Sequence, residues 1–96
     1  MKLDLEKIRK TLHAKPELSG KEVITQGYIR SIIENDLGGS TRIVGRTGLL
    51  YESPSNSERT LLVRVDIDAL PIIEENTFEW KSNHDGISHK CGHDGH

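Results

Sequence analysis

Thr60-Leu61-Leu62-Val63-Arg64-Val65-Asp66-Ile67-Asp68 is the stretch on which the fold of this chain turns. Leu61-Leu62-Val63 is continuously apolar, as in a strand buried on both faces. Val65-Asp66-Ile67-Asp68 then alternates, so the two aspartates project to the same side. A strand of this kind needs covering layers, and the sequence before it predicts helices. Leu5, Ile8 and Leu12 recur at helical spacing, with Asp4 as N-cap and Pro16 just past the end. Ser19 and Glu22 make a capping box for a second helix. Its apolar face is Ile24, Tyr28, Ile29, Ile32 and Ile33, and Gly38-Gly39 stops it. Arg42 to Val44 and Leu49 to Glu52 read as short strands around Gly45 and Gly48. Two helices followed by about three strands of a mixed sheet predict an α/β fold, with α+β as the alternative. After Pro71 little regular structure is expected, and Phe78 and Trp80 are the anchors.

The bulk composition narrows the function classes. A chain of 96 residues, 33% hydrophobic and 29% charged, buries a thin core. A net charge of -2, with no basic run interleaved with aromatics, argues against nucleic acid or an acidic membrane as partner. The single cysteine excludes an intrachain disulfide and fits a reducing compartment. Met1-Lys2-Leu3-Asp4-Leu5-Glu6 alternates charge with leucine, unlike a secretory signal, and no apolar stretch is long enough to span a bilayer. These features predict a soluble cytoplasmic protein.

Most of the chemistry lies in His89-Lys90-Cys91-Gly92-His93-Asp94-Gly95-His96. A thiol, imidazoles and a carboxylate around two glycines are the side chains a soft-to-borderline divalent metal prefers. Cys91 and His93 are spaced i, i+2, which on extended backbone points both the same way, and Gly92 between them permits a tight bend. The bland alternative is a flexible His-rich tail that binds metal adventitiously. Asp66 and Asp68 end the buried strand, the edge at which open α/β sheets bind ligands, and a carboxylate there can orient a histidine ligand. Turn-forming or solvated aspartates are the competing reading. Glu74-Glu75 invites assignment as a general base, but a solvated surface pair is preferred. His13, where a helix gives way to a proline loop, reads as structural or peripheral. Arg64 has no partner identifiable from sequence.

Four ordered motifs carry a resemblance along the whole chain. Leu12-His13-Ala14-Lys15-Pro16-Glu17-Leu18-Ser19 resembles the LHxxPELS opening of the peptidase M20 amidohydrolases, in the aminoacylase and hippurate hydrolase branch. Thr47-Gly48-Leu49 resembles the TG turn of that family, and Arg64 through Ile72 resembles RADxDALPI. Gly86 through His96 resembles GxMHACGHDxH, with Ser88 and Lys90 in place of Met and Ala, as Val65 replaces Ala in the preceding motif. The resemblance implies that residues 1–96 are the N-terminal portion of a zinc-peptidase-like catalytic domain. The rest of that domain and a lid or dimerisation domain would be absent from the chain. It implies Cys91 and His93 as metal ligands in a site for two divalent ions (Zn, Mn, Co or Ni), and Asp68 as the catalytic aspartate that orients a ligand. Asp66 is left as a second carboxylate behind the ligands. The general base, a further glutamate ligand and two histidines are expected downstream of His96, so Glu74-Glu75 is not the base pair.

The implied activity is hydrolysis of the amide C–N bond of N-acyl amino acids by metal-bound hydroxide. The isolated chain is then expected to be inactive, with a small-molecule substrate and a homo-oligomeric state open to the complete enzyme. From a different class, the chain is a truncated remnant acting as a metal-binding or partner-binding module. A Cys/His zinc-sensing module is a third reading, for which the helices would be unnecessary.

Overall fold

The computed structural model describes residues 3–96. Met1 and Lys2, part of the stretch read as unlike a secretory signal, lie outside the described residues. Helix α1 spans Leu5–Ala14, and the Asp4 carboxylate caps it by accepting from Lys7 N at 3.0 Å. Pro16 follows, fully buried. Both ends of this helix lie where the spacing predicts them.

Helix α2 spans Val23–Asp36. The capping box expected at Ser19 does not form. Gly20 adopts a φ of 80° and Lys21 N donates to Leu18 O at 2.9 Å, so Ser19 sits in a turn before the helix. The orphan amides are satisfied by Glu17 instead, whose carboxylate accepts from Ile24 N at 3.1 Å and Thr25 N at 2.5 Å. The buried stripe is also rotated from the expected one: Thr25 and Gln26 are buried, and Ile24 is exposed. Gln26 Nε2 donates to Gly48 O at 3.0 Å, which draws this polar face onto the hairpin that follows.

That hairpin pairs β1 (Ser40–Val44) with β2 (Gly48–Glu52), antiparallel, with Thr41 opposite Tyr51 and Ile43 opposite Leu49. Gly39 precedes it with a φ of 110°, and a Cβ there would run into the carbonyl of Glu52. Gly39→Ala is therefore expected to cost about 2 kcal/mol or more, from left-handed strain and the collision together. A denaturant midpoint unchanged from the parent would contradict this account of the turn.

The third strand is where expectation and structure differ. Residues 60–67 run without a ladder partner among the described residues, and Leu61, Leu62 and Val63 are exposed. A strand buried on both faces requires neighbours in the sheet and layers above and below, and residues 3–96 do not supply them. The sheet is accordingly two-stranded and antiparallel rather than three-stranded and mixed. The parallel pairing survives only as an isolated bridge between Leu18 and Ala69, with Ala69 N donating to Glu17 O at 2.7 Å. An antiparallel bridge from Leu70 to Ser88 completes the frame. Ala69, 2% exposed, is the buried apolar residue at its centre. Past Pro71 the chain is irregular, as expected, until a 3-10 turn at His93–Gly95. Phe78 and Trp80 stack with ring centroids 4.4 Å apart, and Lys10 Nζ lies 4.1 Å from the Trp80 ring. Among the described residues no helix is long and apolar enough to cross a membrane.

Candidate metal centre

The two bridges at Ala69 and Leu70 bring the end of the 60–68 segment beside the 3-10 turn. Gly92 opens that turn with a φ of 84°, a left-handed conformation suited to glycine. Cys91 and His93 therefore converge across a bend and not along an extended segment. His93 Nδ1 lies 2.8 Å from Asp68 Oδ1. An ionised carboxylate only accepts, so Nδ1 carries the proton and the lone pair of Nε2 is left for a ligand. The exposed Cys91 thiol reaches the carbonyl of Asp68, with Sγ 3.6 Å from that oxygen. Asp68, Cys91 and His93 are thus brought together.

Asp66 goes elsewhere. Its carboxylate pairs with Arg64 Nη2 at 2.8 Å, on the exposed side of the segment. This supplies the partner that the sequence left open for Arg64 and engages the Asp66 carboxylate there.

Two further residues were misjudged from sequence. Glu74 is not a solvated surface carboxylate: its side chain is only 2% exposed. It accepts from His13 Nε2 at 2.8 Å, Asn76 Nδ2 at 2.8 Å and Ser82 N at 2.6 Å. Burial by itself would raise its pKa, but the bonds from Asn76, His13 and Ser82 outweigh it and hold the carboxyl at about 2. Glu75 remains exposed. His13, in turn, bonds side chains and not the helix-end carbonyls expected of it. Its Nδ1 lies 2.8 Å from Asp94 Oδ2, opposite the Nε2 bond to Glu74. Each ring nitrogen thus faces a carboxylate oxygen. Spacing gave no warning, since these partners are 61 and 81 residues from His13. The available signal was the LHxxPELS likeness, which places His13 inside a motif.

His89 is buried, and among the described residues neither ring nitrogen has a hydrogen-bond partner; Asp94 Oδ1 is likewise buried and without a partner among them. Burial lowers the pKa of His89, and the nearby Asp94 carboxylate opposes that shift.

The donor set fits a divalent metal in kind. A thiol and an imidazole backed by a carboxylate suit zinc and its neighbours. It is short in number: among the described residues no group of three or more His, Cys, Asp or Glu side chains is arranged to hold a metal ion. Cys91 and His93 provide part of a coordination shell.

No family model matches the chain. Individual proteins do. An uncharacterized hydrolase of Staphylococcus epidermidis is 48% identical over 88 residues, covering 92% of this chain and 23% of the relative. An N-acyl-L-amino acid amidohydrolase of Geobacillus stearothermophilus is 39% identical over 100 residues, covering 100% of this chain and 26% of the relative. The crystal structure of a dinuclear metal-binding peptidase of the M20 family from Bacillus subtilis superimposes with a TM-score of 0.85 at 38% identity. That match covers 94% of this chain and 26% of the other. The chain thus spans about a quarter of the length of the proteins it matches. By sequence and by fold, it belongs with the peptidase M20 amidohydrolases and corresponds to their N-terminal part.

Proposed function

We propose that residues 1–96 form the front of the catalytic domain of a metal-dependent amidohydrolase that deacylates N-acyl amino acids. The observation that carries this reading is the 2.8 Å bond from Asp68 to His93 Nδ1, next to the Cys91 thiol. Cys91 and His93 would hold the metal, and Asp68 holds His93 by Nδ1 so that Nε2 is left to serve as the ligand atom. When bound, a divalent ion polarises the scissile carbonyl and acidifies water. The similarity to an N-acyl-L-amino acid amidohydrolase supports the substrate class, and the dinuclear site of the structural relative supports a pair of ions.

The chain's own residues contribute orientation rather than proton transfer. A general base must be free to take a proton near the reacting water. Glu74 is committed to His13, Asn76 and Ser82 and is held ionised by them, so it does not serve. The base and the remaining ligands are expected from sequence beyond His96.

The test begins with the reading frame after the His96 codon, which is expected to continue and to encode a consecutive glutamate pair and further histidines. The product of that frame is expected to release free amino acid from N-acetyl amino acids with added Mn²⁺ or Zn²⁺. Its Cys91→Ala variant should lose at least about tenfold in metal affinity, in line with the loss from a weaker, indirect contact to a ligand. Residues 1–96 alone should show no turnover. Metal-dependent turnover by the isolated 96 residues that vanishes in Cys91→Ala would overturn the assignment of the base to later sequence.

A further inference from the structure

We infer that His13 is a positioning residue that fixes the imidazole of His93, acting through Asp94. The inference concerns the orientation of His93, and its link to metal binding rests on the ligand role proposed above. The 3-10 turn His93–Gly95 is held internally only by Gly95 N to Gly92 O at 3.0 Å and His96 N to His93 O at 3.1 Å. Such a short turn does not set its own orientation against the rest of the protein.

Two side-chain anchors do so, from adjacent residues. His93 leaves the turn toward Asp68 at 2.8 Å, and Asp94 leaves it toward His13 at 2.8 Å. Either bond alone leaves the turn free to swing about a single point; together they define the direction of His93 Nε2. The Asp94 carboxylate is 2% exposed, so its bond to His13 is shielded from water. Arg9 also approaches it, but at 3.6 Å from an exposed side chain, which makes it the weaker partner.

His13 is a rigid anchor because it is fixed from behind. Its other nitrogen is bonded to Glu74, and Glu74 is tied to the backbone at Ser82 N. Phe78 meets the ring edge-on with centroids 5.7 Å apart. The line of contacts therefore runs from Ser82 through Glu74, His13 and Asp94 to the turn that carries His93. It joins helix α1, the 74–82 loop and the candidate metal centre, which lie far apart in sequence.

The experiment uses the 96-residue chain and two readouts. Long-range ¹H–¹⁵N NMR reports the His93 tautomer without any metal. The wild-type chain should hold the proton on Nδ1, and His13→Ala should give a mixture of tautomers. Cobalt(II) titration, followed by the thiolate-to-metal charge-transfer band, should show about tenfold weaker binding in His13→Ala, the lower end for an indirect contact to a ligand. His13→Gln, which keeps one donor, should fall between the two and guards against failure of His13→Ala to fold. Tyr51→Phe removes a hydrogen bond to Gly38 O in the distant hairpin. It should lower stability while leaving both readouts unchanged, which separates positioning from general loosening. An unshifted tautomer with unchanged cobalt affinity in folded His13→Ala or His13→Gln would overturn the inference. A tautomer that responds as stated, in a chain that binds no cobalt, would support the fixation and remove the ligand role of His93.

Discussion

Glu74→Ala is expected to destabilise the protein by about 3 kcal/mol, because it leaves several donors around a buried side chain without their acceptor. Three donors converge on this carboxylate, from His13, Asn76 and Ser82. Truncation leaves all of them without an acceptor, one of them on a ring that also faces Asp94. Domains of this kind have only about 5–15 kcal/mol of stability in total. Here Ala69 and Pro16 are the buried apolar side chains among the described residues, so the polar cluster bears an unusual share of the fold. Glu74→Gln keeps an acceptor and should cost less than Glu74→Ala. The pH dependence follows from the direction of the shift. The folded carboxyl is depressed from 4.5 to about 2, so its contribution is complete above about pH 4.5 and is lost as the pH falls toward 2. Urea unfolding across that window should therefore show a steep loss of stability that Glu74→Gln flattens. A Glu74→Ala cost within about 0.5 kcal/mol, the range of ordinary surface changes, would restore the reading of Glu74 as a solvated carboxylate.

The 96-residue chain is expected to self-associate in solution. Leu61, Leu62 and Val63 are 87%, 76% and 74% exposed on a segment that has no ladder partner among the described residues. Unpaired backbone flanked by apolar side chains is a template for strand addition. Paired as a strand, this segment would put Leu61 and Val63 on one face and Leu62 on the other. Burying a side chain of this size is worth about 1.5–3 kcal/mol. Leu61→Lys with Val63→Lys should therefore weaken association by about a hundredfold or more. Light scattering over a concentration series measures it directly. A wild-type chain that stays monomeric at every concentration would mean that this segment is covered in solution by the chain itself.

The two helices, the hairpin and the irregular last third were legible from residue order alone. Each depends on local rules: the Asp4 cap, the apolar spacing in α1, and glycines where φ must turn positive. The pairing of Asp68 with His93 was legible in kind, through a carboxylate at a strand end and a histidine in a Cys-Gly-His run, and the family likeness named the same residues. The strand at 60–67 was legible as a pattern but did not become a strand, because apolar alternation specifies which faces seek burial and not whether a partner is present. Ser19 lost its capping role to Glu17 for a related reason: a turn at Gly20 and a bridge from Leu18 to Ala69 decided where helix α2 begins.

By itself, the sequence determined the two helices, the hairpin and the kinds of donor available to a metal. The tertiary structure alone decided which charged groups are buried and whom they face. It separated Asp66 from Asp68, sending one to Arg64 and the other to His93. It took His13, read as structural or peripheral, and joined it to Glu74, read as solvated, across 61 residues and to Asp94 across 81. Local sequence carries the backbone preferences that make a helix or a turn. The burial of an ionisable side chain depends on partners brought from distant segments, and no local spacing records them.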